Sequence, residues 1–198
     1  MLRSTFLIIT IGLLLSSCTG SKRQPSNINN ICQIFTEKPR WYRSAKRSVT
    51  RWGGNLHVPM AIIYQESSFK ANARPPRRFL LGFIPRGRKS NAYGYSQALK
   101  STWASYEKDT GNKWASRDNF RSAFDFVLWY MNNTSEINQV SKWNARDQYL
   151  NYHEGQGGFA RGTHRSKAWL NAVADKVGDR AARFATQLNS CQQRLDRR

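Results

Sequence analysis

Hydrophobic residues recur every three or four positions along most of the chain, which predicts a mainly helical protein. Pro39 has the position of a first-turn proline, and the helix that it opens ends near Gly53. A second helix opens with Pro59 and runs to about Ser67, and a third occupies residues 98–108.

The fourth helix has the clearest pattern. We expect Ser116 to cap it and Asp118 to lie in its first turn, where the helix dipole favours an acidic side chain. Its apolar residues follow the i, i+3, i+4, i+7 spacing of a buried helical face. They are Phe120, Ala123, Phe124, Val127, Leu128 and Met131.

Three more helices complete the pattern. Asn144 and Asp147 resemble a capping box that opens a fifth helix. Apolar stripes over residues 169–177 and 181–195 predict a sixth and a seventh helix. No segment shows convincing strand alternation, so the sequence predicts an all-α or nearly all-α fold.

Three segments depart from helical periodicity: residues 71–92, which are rich in proline, glycine and arginine, residues 93–97, and residues 155–158. Functional side chains tend to lie on loops that a rigid scaffold holds in place. We therefore expect the functional residues in or beside these three segments.

The first seventeen residues have the features of a secretory signal: Arg3 gives a positive start, and residues 6–15 are apolar. Ten residues span only about 15 Å as a helix, too short for a bilayer core of about 30 Å. Residues 15–18, Leu-Ser-Ser-Cys, resemble a bacterial lipobox, although an ordinary signal cleaved near a cysteine remains an alternative.

We therefore expect Cys18 to be lipidated and residues 18–30 to form a polar tether to a domain at residues 31–198. By resemblance to bacterial lipoproteins, Thr19 rather than an aspartate after the cysteine favours the outer membrane, facing the periplasm. Export makes a disulfide between Cys32 and Cys191 plausible. The alternative is a buried cysteine, since Cys191 falls on an apolar stripe.

The 198 residues suggest one domain, and its net charge is +20 at pH 7. A charge of this size favours an anionic partner. For an exported protein we expect peptidoglycan or an anionic lipid surface rather than nucleic acid, with a basic surface that aids solubility as the alternative. We expect the chain to be a monomer.

Glu66 stands alone, because residues 67–106 contain no acidic residue. It follows the apolar residues of the second helix at that helix's C-terminal end. Desolvation and the helix dipole would both raise the pKa of its carboxyl group, as a general acid requires. A solvated glutamate at a helix end is the alternative.

The segment Val-Pro-Met-Ala-Ile-Ile-Tyr-Gln-Glu-Ser-Ser-Phe, residues 58–69, resembles the catalytic helix of lytic transglycosylases of the soluble lytic transglycosylase type. These enzymes carry a Gly-Leu-Met-Gln turn about thirty residues later, and Gly94-Tyr95-Ser96-Gln97 matches its glycine and glutamine. An Ala-Tyr-Asn motif followed by glycine is matched by residues 151–155 at Tyr152 and the glycine, with His153 in place of asparagine. The resemblance covers residues 40–175.

The resemblance implies a lysozyme-like fold and non-hydrolytic cleavage of the MurNAc–GlcNAc β-1,4 bond to 1,6-anhydroMurNAc ends. Glu66 would act as the single acid and base, since the MurNAc O6 hydroxyl is the nucleophile. Goose-type lysozymes, the hydrolytic relatives, supply a second carboxylate in the segment that follows. Its absence here favours the lyase, although Glu107, Asp109 or Glu154 could still fold inward.

Each further role follows from motif position. Ser67 would orient the Glu66 carboxyl group, or bond its own backbone. Gly94 would let backbone approach the sugar, and Gln97 would bind substrate or hold the turn. The other matched positions have less defined roles. Tyr95 and Ser96 would reshape the sugar platform, and Tyr152 would reach Glu66 or the N-acetyl group or lie in the core. His153 would donate a hydrogen bond to substrate, pack against the protein, or be solvated.

Residues 70–89, which follow Glu66, are rich in lysine and arginine and are called the basic segment here. If its cations faced Glu66, they would lower the pKa of that carboxyl group. We expect them to face outward or toward peptide carboxylates, and the apolar residues between them to dock on a membrane or a partner protein or to form a small cluster. Four tryptophans would stack on sugars or fill the core: Trp103, Trp114, Trp129 and Trp143.

No cofactor is expected, and His57, His153 and His164 show no metal-ligand spacing. Two other readings remain. One is a hydrolytic muramidase on the same scaffold. The other is a non-catalytic peptidoglycan-binding lipoprotein, which the altered residues of the 94–97 turn and His153 favour.

Overall fold

The computed structural model describes residues 22–81 and 83–197, without the side chains of Arg78 and Pro85. Within these residues the chain forms eight α-helices and one β-hairpin. The order is α1 (Ile31–Glu37), α2 (Pro39–Trp52), α3 (His57–Ser67), β1 (Arg77–Leu80), β2 (Ile84–Arg88), α4 (Lys100–Thr110), α5 (Phe120–Asn138), α6 (Ala145–Glu154), α7 (Gln156–Ala160) and α8 (Ala168–Asp196). The expected mainly α architecture is confirmed. The predicted signal and Cys18 lie outside the described residues.

Helix α3 lies at the centre of the fold, packed against α5, α6 and α8. Its residues 58–63 are all buried, so the helix has no polar face. A helix that is apolar all round must be enclosed by other elements. The residue that ends this helix is therefore held firmly from several sides.

Helix α5 packs against α2 and α3, and its predicted apolar stripe is buried throughout, which confirms that part of the pattern. The predicted start is wrong. Asn119 caps the helix by accepting a hydrogen bond from the Ser122 amide, whereas the Ser116 hydroxyl bonds to Asp118 in the preceding turn. Asn119 is the capping residue in place of Ser116 because its side chain reaches the unsatisfied amides of the first turn.

The predicted sixth and seventh helices are one continuous helix, α8. Its buried residues alternate at spacings of three and four without a break: Leu170, Ala174, Val177, Ala181, Phe184, Leu188, Cys191 and Leu195. Packing of this stripe against α3, α6 and α1 outweighs the low helix propensity of Gly178 in its middle. Two short helices, α1 and α7, were not predicted.

Helix α1 is tied to α8 by a disulfide between Cys32 and Cys191, whose Cα atoms lie 6.0 Å apart. The Ile31 amide donates to Gln187 Oε1 at 2.9 Å, and the Tyr42 hydroxyl of α2 donates to Asp196 Oδ1 at 2.7 Å. These contacts close the first helices of the domain onto the last one.

The basic segment contains the unpredicted hairpin β1–β2, antiparallel with Arg77 opposite Arg88 and Leu80 opposite Ile84. It makes no extensive contact with any helix. Consecutive apolar residues at its tip hide the period-two alternation by which a half-buried strand is recognised. No described helix is long and apolar enough to cross a membrane.

Candidate active site

Glu66 lies in the last turn of α3, directly before a sharp change of chain direction. Ser68 and Phe69 both adopt left-handed backbone conformations, with φ values of 50° and 61°. Such conformations cost energy for residues other than glycine. Phe69 is completely buried and packs edge-on against Tyr64 with ring centroids 6.1 Å apart, and this burial offsets the cost. The turn thereby fixes the position of Glu66.

Glu66 is a partly buried residue, and desolvation raises the pKa of its carboxyl group to about 7. The neighbouring Tyr149 hydroxyl partly opposes this rise in the pKa, because a hydroxyl donor stabilises the carboxylate form. No charged group among the described residues contributes to the shift. The carboxyl group can therefore hold or release a proton near neutral pH.

The described cations of the basic segment are exposed, and none of them shifts the Glu66 pKa. They are Lys70, Arg74, Arg77, Arg86, Arg88 and Lys89.

The turn at residues 93–97 is locked to its surroundings by Gly94 and Gln97. Gly94 has a φ of 79°, and a Cβ atom there would lie 1.9 Å from the Arg117 carbonyl oxygen. The close approach that requires glycine is therefore to protein backbone, which corrects the expectation that it faces sugar. Gln97 Nε2 donates to the carbonyl oxygens of Ala73 and Gly94 at 2.9 and 2.8 Å, so Gln97 holds the turn.

Tyr95 and Ser96, expected at the sugar platform, are buried. Tyr95 packs edge-on against Trp41, with ring centroids 5.4 Å apart, and belongs to the hydrophobic core. This is a correction, and its physical reason is that the middle of the turn points inward between α2 and α5. The Ser96 carbonyl oxygen accepts a hydrogen bond from the Tyr152 hydroxyl at 2.6 Å.

That bond directs the Tyr152 hydroxyl to the 93–97 turn instead of Glu66, and its ring packs against the hydrophobic core, which was the alternative expectation. Tyr152 lies close enough for the Glu66 charge to raise its pKa further, in addition to burial. It links α6 to the turn and stands beside the carboxyl group. Ser67 likewise bonds its own helix, donating from Oγ to the Ile63 carbonyl oxygen at 3.1 Å.

The group that contacts Glu66 is Tyr149, which the sequence analysis missed. It lies three residues before Tyr152 and hence on the same face of α6. It is buried, and the pKa of its hydroxyl is raised by burial and by Glu66. The i, i+3 spacing of two tyrosines was the available signal, but only the packing of α6 on α3 shows which hydroxyl reaches the carboxyl group.

A cavity of about 240 Å³ adjoins Tyr152, and Glu66 is not among the residues that line it. Its walls come from the 93–97 turn, α4, α5 and the end of α6. They include Gln97, Leu99, Thr102, Phe126, Tyr130, Tyr152, His153 and Glu154. His153 is partly exposed here, with its Nδ1 atom 3.1 Å from Glu154 Oε1 and its ring against Trp169. The cavity gives a sugar-sized space beside the residues of two motifs.

The three carboxylates considered as second groups lie apart from Glu66 and contribute nothing to its pKa. Glu154 is almost completely buried and bonded to Thr163 and, at 2.7 Å, to the Lys167 ammonium group; these hydrogen bonds hold its pKa at about 2. Glu107 accepts a hydrogen bond from Trp103 Nε1 at 2.9 Å. Asp109 is exposed on α4.

The tryptophans divide between the two expectations: Trp103 and Trp129 are buried core residues, whereas Trp114 and Trp143 are exposed. The residues of the described chain contain no cluster of three or more histidine, cysteine, aspartate or glutamate side chains that could hold a metal ion.

The mainly helical fold is that of an all-α, lysozyme-like domain. A family model described as the transglycosylase SLT domain matches residues 6–191. The chain therefore belongs to the SLT transglycosylases, a family of lytic transglycosylases. No curated protein and no solved structure shows significant similarity to it.

Proposed function

We propose that this protein cleaves the MurNAc–GlcNAc β-1,4 bond of peptidoglycan without water, leaving 1,6-anhydroMurNAc ends, with Glu66 as the single acid and base. The observation that carries the proposal is the pKa of about 7, raised by desolvation at the end of α3 with no other charged group involved. A group with this pKa is populated in both protonation states at neutral pH, which suits it to serve as acid and then as base.

The reaction follows from this single group. Protonated Glu66 gives its proton to the glycosidic oxygen as the bond to the anomeric carbon breaks. The resulting carboxylate takes the proton of the MurNAc O6 hydroxyl as that oxygen bonds to the anomeric carbon. The nucleophile is already part of the substrate, so a high effective molarity takes the place of an activated water. Glu66 ends the cycle protonated.

Tyr149 supports both half-reactions in this scheme. Its hydroxyl lies close enough to Glu66 to donate to the carboxylate that forms after the first proton transfer. Gly94, Gln97 and Tyr152 act as positioning residues, since they fasten the 93–97 turn beside α6. His153, at the wall of the cavity, is the group of this set available to substrate.

A hydrolytic muramidase needs a second carboxylate to activate water. Glu154 is the acidic residue nearest to the motif residues of α6, yet its oxygens are bonded to Thr163 and Lys167. A group with a pKa of about 2 is also a weak base. These contacts support the hypothesis of non-hydrolytic cleavage over that of a hydrolase.

Mass spectrometry of peptidoglycan digested with the protein tests the proposal. We expect muropeptides lighter by one water than hydrolytic products, with no reducing end. Glu66→Gln should reduce their rate of formation by about 10²- to 10⁴-fold, the usual contribution of general acid–base catalysis. The matched control is Glu136→Gln, which removes an exposed carboxylate on α5 and should leave the rate unchanged.

Products of full mass with reducing ends would overturn the lyase and establish a hydrolase. If neither the parent protein nor Glu66→Gln cuts the polymer while both bind it, the protein is a non-catalytic peptidoglycan-binding member of the family.

We also propose that the protein is a lipoprotein anchored through Cys18 to the outer membrane, facing the periplasm. The support is the signal-like segment ending in Leu-Ser-Ser-Cys. Labelled palmitate should enter the parent chain and not Cys18→Ala. Label in both chains, or in neither, would refute this anchor.

A further inference from the structure

The tip of the β1–β2 hairpin carries large apolar side chains in the open. Leu81 and Phe83 are 75% and 72% exposed, and their neighbours Phe79, Leu80 and Ile84 are also exposed. A contiguous exposed apolar patch marks a surface that contacts something else. The Phe83 amide donates to the Leu80 carbonyl oxygen at 3.3 Å, so the tip also satisfies part of its own backbone.

Both faces of the tip are apolar. Consecutive strand residues point to opposite sides of a hairpin, and Phe79 and Leu80 of β1 are both apolar and exposed. A flat protein surface would cover one face and leave the other in water. An acyl-chain environment surrounds both faces at once.

The stem below the tip is cationic. Arg77, Arg86, Arg88 and Lys89 are exposed on the two strands and just after them, and residues 67–106 contain no acidic residue to neutralise them. An apolar tip next to exposed basic residues is an arrangement that binds an anionic lipid surface, because the tip enters the acyl region and arginine pairs with lipid phosphate.

The chain's N-terminal tether reaches the base of the same hairpin. The Arg74 guanidinium group lies 4.6 Å from the centre of the Tyr93 ring, and the Tyr93 hydroxyl contacts Asp118 Oδ2 at 3.4 Å. Asp118 in turn pairs with the Lys22 ammonium group at 2.6 Å. Lys22 is four residues after Cys18, a distance of at most about 14 Å in extended chain.

We propose that the β1–β2 hairpin is a membrane-docking element that inserts its apolar tip into an anionic lipid leaflet while its cationic stem binds the phosphates. The occupant of this surface is a lipid headgroup region and its outer acyl chains. Docking holds the domain against the membrane beside the start of the tether, independently of the activity at Glu66.

An environment-sensitive fluorophore at the tip tests this directly. The full chain carries Cys18→Ser, so that the single introduced thiol takes the label while Cys32 and Cys191 stay in their disulfide. The label is placed at Leu81→Cys or, as the matched control, at Trp114→Cys, which is 95% exposed elsewhere. Any anchoring by the N-terminal residues is the same in both variants.

On vesicles of phosphatidylcholine with phosphatidylglycerol, the label at residue 81 should shift to the blue and be quenched by lipids carrying spin-labelled acyl chains. The label at residue 114 should show neither change. Equal behaviour of the two labels overturns the proposal. A blue shift at residue 81 on isolated peptidoglycan sacculi, without quenching on vesicles, would assign the tip to glycan and also overturn it.

The cationic part has its own test. Arg86→Gln with Lys89→Gln should lower the ratio of docked to undocked tip more than tenfold on anionic vesicles at low salt. Lys108→Gln with Lys113→Gln, a matched loss of charge on and after α4, should leave it unchanged. Equal quenching of the residue 81 label on pure phosphatidylcholine would overturn the requirement for anionic lipid.

Discussion

Replacing Glu66 by glutamine should stabilise the folded protein at neutral pH and leave its stability at low pH almost unchanged. The folded state raises the pKa of Glu66 from 4.5 to about 7. The folded protein favours the protonated carboxyl group of Glu66. The resulting stabilisation is fully present below pH 4.5 and is lost as the pH rises to about 7. Glutamine is neutral throughout and does not incur this loss.

The shift from 4.5 to about 7 corresponds to about 3 kcal/mol at about 1.4 kcal/mol per pH unit. Glu66→Gln should therefore gain up to about 3 kcal/mol over the parent protein between pH 4 and pH 8. Urea denaturation of both proteins at the two pH values measures the difference. The exposed Glu136→Gln serves as control and should show no such gain. A constant difference between Glu66→Gln and the parent at both pH values would refute the assigned desolvation.

Three further changes test other parts of the structure. Gly94→Ala should destabilise the fold by about 3 kcal/mol or more, because its Cβ meets backbone, whereas Gly111→Ala, also at positive φ but in open space, should cost about 1 kcal/mol in thermal unfolding. Tyr149→Phe should move the alkaline limb of the pH–rate profile upward and lower kcat about tenfold, since the lost hydrogen bond stabilises the carboxylate; an unmoved limb would contradict the contact. Serine at both Cys32 and Cys191 should lower the free energy of unfolding by about 5 kcal/mol in guanidinium titrations, and a change below about 1 kcal/mol would contradict this.

Local patterns in the sequence predict most of the long helices. The α5 stripe and the Asn144 cap of α6 follow from local spacing, and both are present in the structure. The break expected within α8 is absent because tertiary packing of its stripe decides its length. The hairpin was missed because its apolar residues are exposed, which is contrary to the burial that periodicity assumes.

Some features of the candidate site could be predicted from the sequence and others could not. The raised pKa of Glu66 was predicted from its position at the end of an apolar helix, since such a helix is enclosed by other elements and its last turn is desolvated with it. Its hydrogen-bond partner was not predicted. Tyr149 reaches Glu66 only because α6 packs across α3, and Tyr152 is drawn instead to the Ser96 carbonyl oxygen. Such pairings depend on distances between elements, which motif spacing does not contain.

The disulfide between the first and last helices has a consequence for biogenesis. In a chain exported from its N-terminus, Cys32 emerges 159 positions ahead of its partner Cys191. During that interval the only other cysteine in the sequence is Cys18. Acylation of Cys18 would remove that thiol from competition before Cys191 arrives. With the proposed acylation of Cys18, Cys191 would be the single possible partner of Cys32 within the chain.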